Sequence, residues 1–253
     1  MKNYSGFLLC SDFDGTLYYR NEISEENLAA IRDFQAGGGR FTLATGRYPT
    51  ILEEPCAAKL KVNAPVIAMN GALLYDAKKR QILAEGTMSE NFSDRLCSIC
   101  ENVSGIREVV FCPSESWKVI RLMPEQTDCF SAILQKKPYK IMFHIADPVQ
   151  SDRITAEITE ISGGDFCVSR SWASGIEVQG ADYNKGSTAR LLAETLGAHT
   201  LISVGDYEND ILLLQASDIG FAVQNAAPTL ARVATHITKA DASGAIAEII
   251  RSL

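Results

Sequence analysis

The sequence predicts an α/β protein in which a parallel-sheet core is interrupted by an inserted α+β domain. Strand-length runs at residues 7–10, 40–44 and 65–69 each end in a small polar loop. Helical stretches alternate with them, which predicts a parallel sheet with right-handed crossovers and all three loops at one edge. After about Leu83 the rhythm changes to αββαβαββ and returns to its first form near Asn184. The expected division is a discontinuous core of residues 1–83 and 180–253 around an insert of residues 84–179.

Residues 7–10, FLLC, make the first strand. They release the chain into Ser11-Asp12-Phe13-Asp14-Gly15-Thr16, with two carboxylates two positions apart in a glycine-containing loop. Open α/β folds bind ligands at this edge of the sheet. Asp, Gly and Thr are also turn residues, so the loop alone reads equally well as a surface turn. Ser24-Glu25-Glu26 has helix-start chemistry, Leu28, Ile31 and Phe34 share an apolar face, and Gly37-Gly38-Gly39 stops the helix. The strand at 40–44 ends in Thr45-Gly46-Arg47, and Pro49 then opens another helix at a favoured first-turn position. The strand at 65–69 ends in Asn70-Gly71, and residues 72–75 and 81–83 flank a hairpin turn at 76–80.

In the insert, helices are expected at 90–103, at 125–135 and between Asp147-Pro148 and Gly163-Gly164. Strands are expected at 107–112, 117–122, 139–145, 165–169 and 176–179. The core resumes with Asn184-Lys185-Gly186-Ser187 at the head of a helix that ends at Gly197. A short buried strand at 200–204 then delivers Gly205-Asp206-Tyr207-Glu208-Asn209-Asp210.

This second acidic loop decides the chemistry. Two strand ends carrying paired acids can converge on a hard divalent cation, which takes oxygen ligands. Helix N-capping explains one of Asp206 and Asp210, not four acids in two loops. Asp12, Asp14, Asp206 and Asp210 would repel a phosphate dianion unless a cation and a lysine offset them, and Mg2+ with Lys185 would supply that offset. Thr45 and the backbone N–H groups of Gly46 and Arg47, at a helix start, would hold phosphate oxygens. Taken alone, Lys185 is more often a solvated surface residue.

Composition narrows the partners. With 253 residues and 46% hydrophobic content the chain can bury a large core. A net charge of -7 and the lack of any Lys/Arg block argue against a nucleic-acid surface. Short apolar runs argue against a signal peptide or a membrane span, so a cytoplasmic protein is expected. Seven scattered cysteines do not form a disulfide framework, and Cys97 and Cys100 read as packing residues of a helix.

The motifs Asp12-Phe13-Asp14-Gly15-Thr16-Leu17, Thr45-Gly46-Arg47, Lys185-Gly186 and Gly205-Asp206-x-x-Asn209-Asp210 appear in that order. In these the chain resembles the haloacid dehalogenase (HAD) superfamily, the Cof-like type IIB phosphatases with a large C2B cap. Asn70-Gly71-Ala72 and Asn225-Ala226-Ala227-Pro228 resemble the same subgroup. Ala242-Ser243-Gly244 departs from it, where relatives often have acids before the glycine, but touches none of the four motifs.

The resemblance implies a Rossmann-like core and a Mg2+-dependent phosphatase of small phosphorylated metabolites, sugar phosphates foremost. Asp12 would be the nucleophile that forms an aspartyl-phosphate. Asp14 would protonate the leaving alcohol and then deprotonate the attacking water. Mg2+ would be held by the Asp12 carboxylate, the Asp14 main-chain carbonyl and the Asp206 carboxylate. Thr45, Gly46, Lys185 and Asn209 would contact the phosphoryl group, with Asp210, Arg47 and Asn70 supporting them from behind.

Two alternatives stay open: a phosphomutase of sugar phosphates, and a binding module that has kept the fold without catalysis. The presence of Asp12, Asp14, Lys185 and Asp206 weighs against the second, and the products separate the first. The expected partner is a small phosphate ester, with no nucleic acid and no membrane, and the chain a monomer or weak dimer. Because the motifs flank the insert, the cap is expected to supply selectivity, with Trp117, Arg121, His144, Arg170, Trp172 and Glu177 as candidate contacts.

Overall fold

The first apolar run becomes β1, Phe7–Ser11, in the computed structural model, which describes residues 2–89 and 92–253. Helix α1, Glu25–Ala36, begins where the Ser24 side chain accepts the Asn27 N–H, and ends at Gly37. It buries Leu28, Ile31 and Phe34, the predicted face. Strand β2 is Arg40–Leu43. The helix expected from Pro49 is instead two 3-10 turns, Pro49–Glu53 and Pro55–Ala57. Pro55 disfavours the helical conformation at Glu54, which lies extended at φ -77° and ψ 148°. Strands β3 (Val66–Ala68), β4 (Leu73–Asp76) and β5 (Gln81–Glu85) follow.

Next come α2 (Phe92–Asn102), β6 (Ile106–Pro113), β7 (Ile120–Leu122), α3 (Phe130–Leu134) and β8 (Pro138–Ile145). The expected start of α2 at Glu90 lies outside the described residues. A 3-10 turn capped by the Asp147 side chain leads into α4 (Ser151–Ser162), which a left-handed Gly163 closes before β9 (Phe166–Trp172) and β10 (Gly175–Gly180). The chain continues through α5 (Lys185–Leu196), β11 (Thr200–Gly205), α6 (Ile211–Ala216), β12 (Ile219–Ala222), α7 (Pro228–Ala231), β13 (His236–Ile237) and α8 (Ala245–Ser252).

Contacts divide these elements into two compact units. One is the chain up to Ala84 together with Lys185–Leu253, and the other is Glu85–Asn184. The first is built on a parallel sheet in the order β13-β12-β11-β1-β2. Leu8, Leu9 and Cys10 of β1 are wholly buried, as a strand covered on both faces requires. Helices α5 and α6 pack together, as do α1 and α8. Strand β3 lies parallel beside the end of β2, as expected, but without a full ladder. It pairs antiparallel with β4 in a sheet ordered β3-β4-β5, and touches the end of β2 only through the single bridge Ala44 to Ile67. The tight turn Met69–Gly71 reverses the chain at once, so β4 returns antiparallel beside β3.

The second unit has one antiparallel sheet, β7-β6-β8-β10-β9. Helices α2, α3 and α4 share a core with Val109, Phe111, Ile141, Phe143, Ile176 and Val178 on one face of it. Several residues of opposite parity are polar. Lys140 Nζ meets Glu177 Oε1 at 2.5 Å with both side chains buried, and Ser171 Oγ donates to the other Glu177 oxygen. Arg121 and the His144 ring lie 2.6 and 3.0 Å from Glu108. Trp172 stands edge-on to His144, and Arg170 pairs with Asp152 of α4. Of the six candidate contacts, Arg170 therefore has a structural partner on the helical side.

Candidate active site

Strands β1 and β11 are neighbours. The chain leaves β1 toward β2 on one side of the sheet and β11 toward β12 on the other. That is a topological switch point, where an open sheet leaves a crevice beyond its strand ends. Register pairs Ser11 with Val204, and the Asp12 N–H donates to Val204 O at 2.9 Å. The loops carrying Asp12 and Asp206 therefore start side by side. Among the described residues, carboxylate oxygens of Asp12, Asp206 and Asp210 lie within 4.8 Å of one another.

Each acid has a distinct support. Thr16 Oγ1 donates to Asp206 Oδ1 at 3.0 Å, so the first motif holds a carboxylate of the last. Asp210 Oδ2 accepts the Asp206 N–H at 3.0 Å and the Tyr207 N–H at 3.4 Å, shaping the loop that presents Asp206. Asp210 Oδ1 and Asp12 Oδ1 both accept from Lys185 Nζ, at 2.6 and 2.7 Å. Lys185 is 1% exposed, not the solvated lysine its type alone suggests. It opens α5, and Gly186 beside it lets α5 approach α6 closely, since a Cβ there would meet Leu212 O at 2.1 Å. Asn225 Nδ2 donates to Gly15 O at 3.2 Å, which ties the later Asn-Ala-Ala-Pro segment to the first acidic loop.

Burial raises the Asp12 carboxyl well above the usual range; Lys185 lowers it, and Asp210 and Asp206 push it up further. Asp206 is raised to about 7 by burial and by Asp210. Burial alone would lower Lys185, but Asp12 and Asp210 override it and hold the ammonium charged above the ordinary lysine range. Three clustered carboxylates against one lysine leave two negative charges. One divalent cation balances them, and an all-oxygen donor set suits Mg2+. The cluster therefore fits such an ion.

Gly15 stands at φ +82°, and a Cβ there would lie 2.3 Å from Asp206 Oδ2. Gly15→Ala is therefore expected to lose about 1–2 kcal/mol of stability from the left-handed backbone alone. It should also displace Asp206 and weaken Mg2+ binding. Calorimetric titration checks this: wild-type Mg2+ affinity would show that Asp206 tolerates the intrusion.

The remaining predicted residues divide. Thr45 is buried at the end of β2, and Asn70, left-handed at φ 57°, donates its N–H to Thr45 O. Asn209 Nδ2 reaches Asn70 Oδ1 at 3.4 Å, whereas Asn209 Oδ1 is buried without a hydrogen-bond partner. An unmatched polar atom beside the acids suits a ligand or an ordered water. The Arg47 N–H donates to Thr45 Oγ1 at 3.1 Å, and the element that follows it at Pro49 is a short 3-10 turn, not the expected longer helix. The Asp14 side chain lies outside the acid cluster, with both oxygens on Arg47, 2.8 Å from Nε and 2.6 Å from Nη2. Sequence reasoning missed this pair, and it missed Thr16 as the support of Asp206. Thr16 had a legible signal, being a hydroxyl inside the first motif. Burial pushes up both the Cys97 and Cys100 thiols, Cys100 to about 12, which disfavours the reactive thiolate.

A buried lysine and clustered acids that could hold a cation thus stand at the switch point of a parallel α/β sheet. Residues 9–250 match the haloacid dehalogenase-like hydrolases, and the chain belongs to that family. It is 25% identical over 248 residues to the 5-amino-6-(5-phospho-D-ribitylamino)uracil phosphatase of Bacillus subtilis, covering 96% of this chain and 94% of that protein. It is 24% identical over 250 residues to a phosphoglycolate phosphatase of Methanothermobacter thermautotrophicus, covering 95% of each. Its fold is similar to that of a HAD/COF-like hydrolase from Plasmodium vivax, with a TM-score of 0.79 at 22% identity over 96% of this chain and 94% of that one. A HAD subclass IIB sugar phosphatase gives 0.76 at 19% identity, covering 97% and 98%.

Proposed function

We propose that this haloacid dehalogenase-like phosphatase hydrolyses monoesters of small phosphorylated metabolites, sugar phosphates foremost, through an aspartyl-phosphate on Asp12. The observation that carries the reading is the meeting of Asp12, Asp206 and Asp210 around Lys185 at the switch point. Relatives that act on phosphate esters of a ribityl compound and of glycolate, and a sugar phosphatase of the same fold, support the substrate class.

Asp12 attacks phosphorus while Asp14 gives a proton to the leaving alcohol oxygen; Asp14 then takes a proton from the water that cleaves the acyl phosphate. Lys185 favours the ionised form of Asp12 and aims it, and with Thr45, Gly46 and Asn209 it faces the phosphoryl oxygens. Asp12, Asp206 and the Asp14 carbonyl would hold Mg2+, which when bound offsets the charge between nucleophile and phosphate. Asp210 fixes Lys185 and the Asp206 loop. The cysteines are all unpaired, which fits a reducing, cytoplasmic setting. Among the described residues no helix is long and apolar enough to cross a membrane.

The test is phosphate release from a panel of sugar, polyol and acid phosphates, with and without a chelator. Free phosphate that requires Mg2+ is the expected product. An isomeric sugar phosphate would mean mutase chemistry, and full activity without metal would remove the cation from the mechanism.

A stability measurement accompanies it. A folded-state pKa raised above its unfolded value contributes stability at low pH that is lost as pH rises through the folded value. With chelator present, the thermal midpoint should therefore fall as pH rises from the ordinary carboxylate value of 3.8 to about 7, where Asp206 ionises, and level off above it. Saturating Mg2+ should flatten that fall. An equal slope with and without Mg2+ would show that these acids do not bind it.

A further inference from the structure

The Arg47 guanidinium serves two carboxylates at once. Nε and Nη2 take both oxygens of Asp14, and Nη1 reaches Glu54 Oε2 at 3.3 Å. The group stands over the Phe13 ring, 5.6 Å from its centroid, and Phe13 is stacked on Tyr18. Glu54 owes its place to the interruption that Pro55 makes between the two 3-10 turns. A cavity of about 490 Å³ lined by Tyr18, Asn21, Arg47, Glu54, Pro55 and Cys56 opens beside the pair. All of these residues belong to the first unit.

An acid that protonates a leaving oxygen needs one carboxyl oxygen to carry the proton. With both Asp14 oxygens accepting N–H from Arg47, the carboxyl cannot turn to a leaving group without giving up at least one of these bonds. The guanidinium donor released in that turn needs another acceptor. Glu54 is the acceptor it already touches. The side chains of Asp14, Arg47 and Glu54 are 50%, 39% and 47% exposed, and pairs so exposed are weak, which makes exchange between two seats a small step.

We propose that Glu54 is a positioning residue for the reaction, receiving the Arg47 guanidinium when Asp14 turns to the leaving group. The proposal rests on the phosphatase reading above, in which Asp14 is the acid. In that step the bond between phosphorus and the ester oxygen breaks, its electron pair stays on that oxygen, and the proton of Asp14 goes there. Glu54 touches neither substrate nor proton and acts only through Arg47.

The test compares p-nitrophenyl phosphate, whose leaving group needs no proton, with glycerol phosphate, whose leaving group does, all with Mg2+. Glu54→Gln should lower kcat on glycerol phosphate about tenfold, a fraction of what a general acid supplies, and change the aryl ester by less than about twofold. Glu54→Asp should recover most of the loss, and Glu54→Gln should add nothing in an Arg47→Met background. Equal losses on both esters, a change confined to KM, or a loss that persists in the Arg47→Met background would overturn the proposal. Asp14→Asn separates the two levels. If it does not lose more on glycerol phosphate, the acid assignment itself fails; if it does while Glu54→Gln does not, only the role of Glu54 falls.

Discussion

Asp12→Asn is expected to remove turnover, by on the order of 10⁴-fold or more, as loss of a nucleophile does in other covalent mechanisms. The amide oxygen is a poor nucleophile and brings no charge to the cation. The protein should nevertheless stay folded. Asp12 is buried against Asp206 and Asp210, both of which raise its pKa, so removing its charge relieves repulsion, while Lys185 keeps Asp210 as a partner. The metal-free variant should therefore melt no lower than the metal-free wild type, and gain less from Mg2+. Phosphate-release kinetics and calorimetry decide it together. Turnover within tenfold of wild type would take the nucleophile's role from Asp12.

Lys185→Met should damage both stability and rate. Methionine fills nearly the same volume but leaves two buried carboxylates facing each other without a cation. Breaking a buried pair by removing one partner destabilises by about 3–5 kcal/mol, because the other charge stays buried. Removing one donor from a developing anion lowers kcat by about 10²–10³-fold. The pH dependence follows from the sign of the shift. A lysine whose folded pKa is raised contributes stability in full below the ordinary lysine value and loses it as pH rises through the folded one. Wild type and variant should thus differ most at neutral pH and converge under strongly alkaline conditions. Denaturant unfolding at neutral and alkaline pH checks this; a constant difference would mean that Lys185 stabilises by packing alone.

The acidic loops were legible because their signal is local: an apolar strand, then acids and glycine within a few residues. The fold class was legible for the same reason, since alternation of strand and helix is written along the chain. What failed depended on distant partners. An apolar triplet such as Val66-Ile67-Ala68 does not announce that it meets β2 in one parallel bridge and β4 in an antiparallel ladder. Pro49 announced a helix correctly in itself, and Pro55 cancelled it. Lys185 could not be read as buried because burial is conferred by β1 and α6. The Arg47–Asp14 pair joins residues far apart in sequence through two long side chains, for which no spacing rule exists.

The pairing of β1 with β11 also sets an order of assembly. Leu8 is made before the inserted unit, yet its partner Leu201 lies beyond it. Until then β1 and β2 are an apolar pair with one long flank unpaired, the kind of edge that invites misassociation. Residues 85–184 are contiguous and hold their own core, so they can collapse on the ribosome while the first strands wait. Asp12 and Lys185 can therefore meet only once the chain beyond the inserted unit has been made. A nascent chain stalled before α5 carries Asp12 without Lys185, Asp206 or Asp210, so the cluster forms only after the inserted unit has been passed.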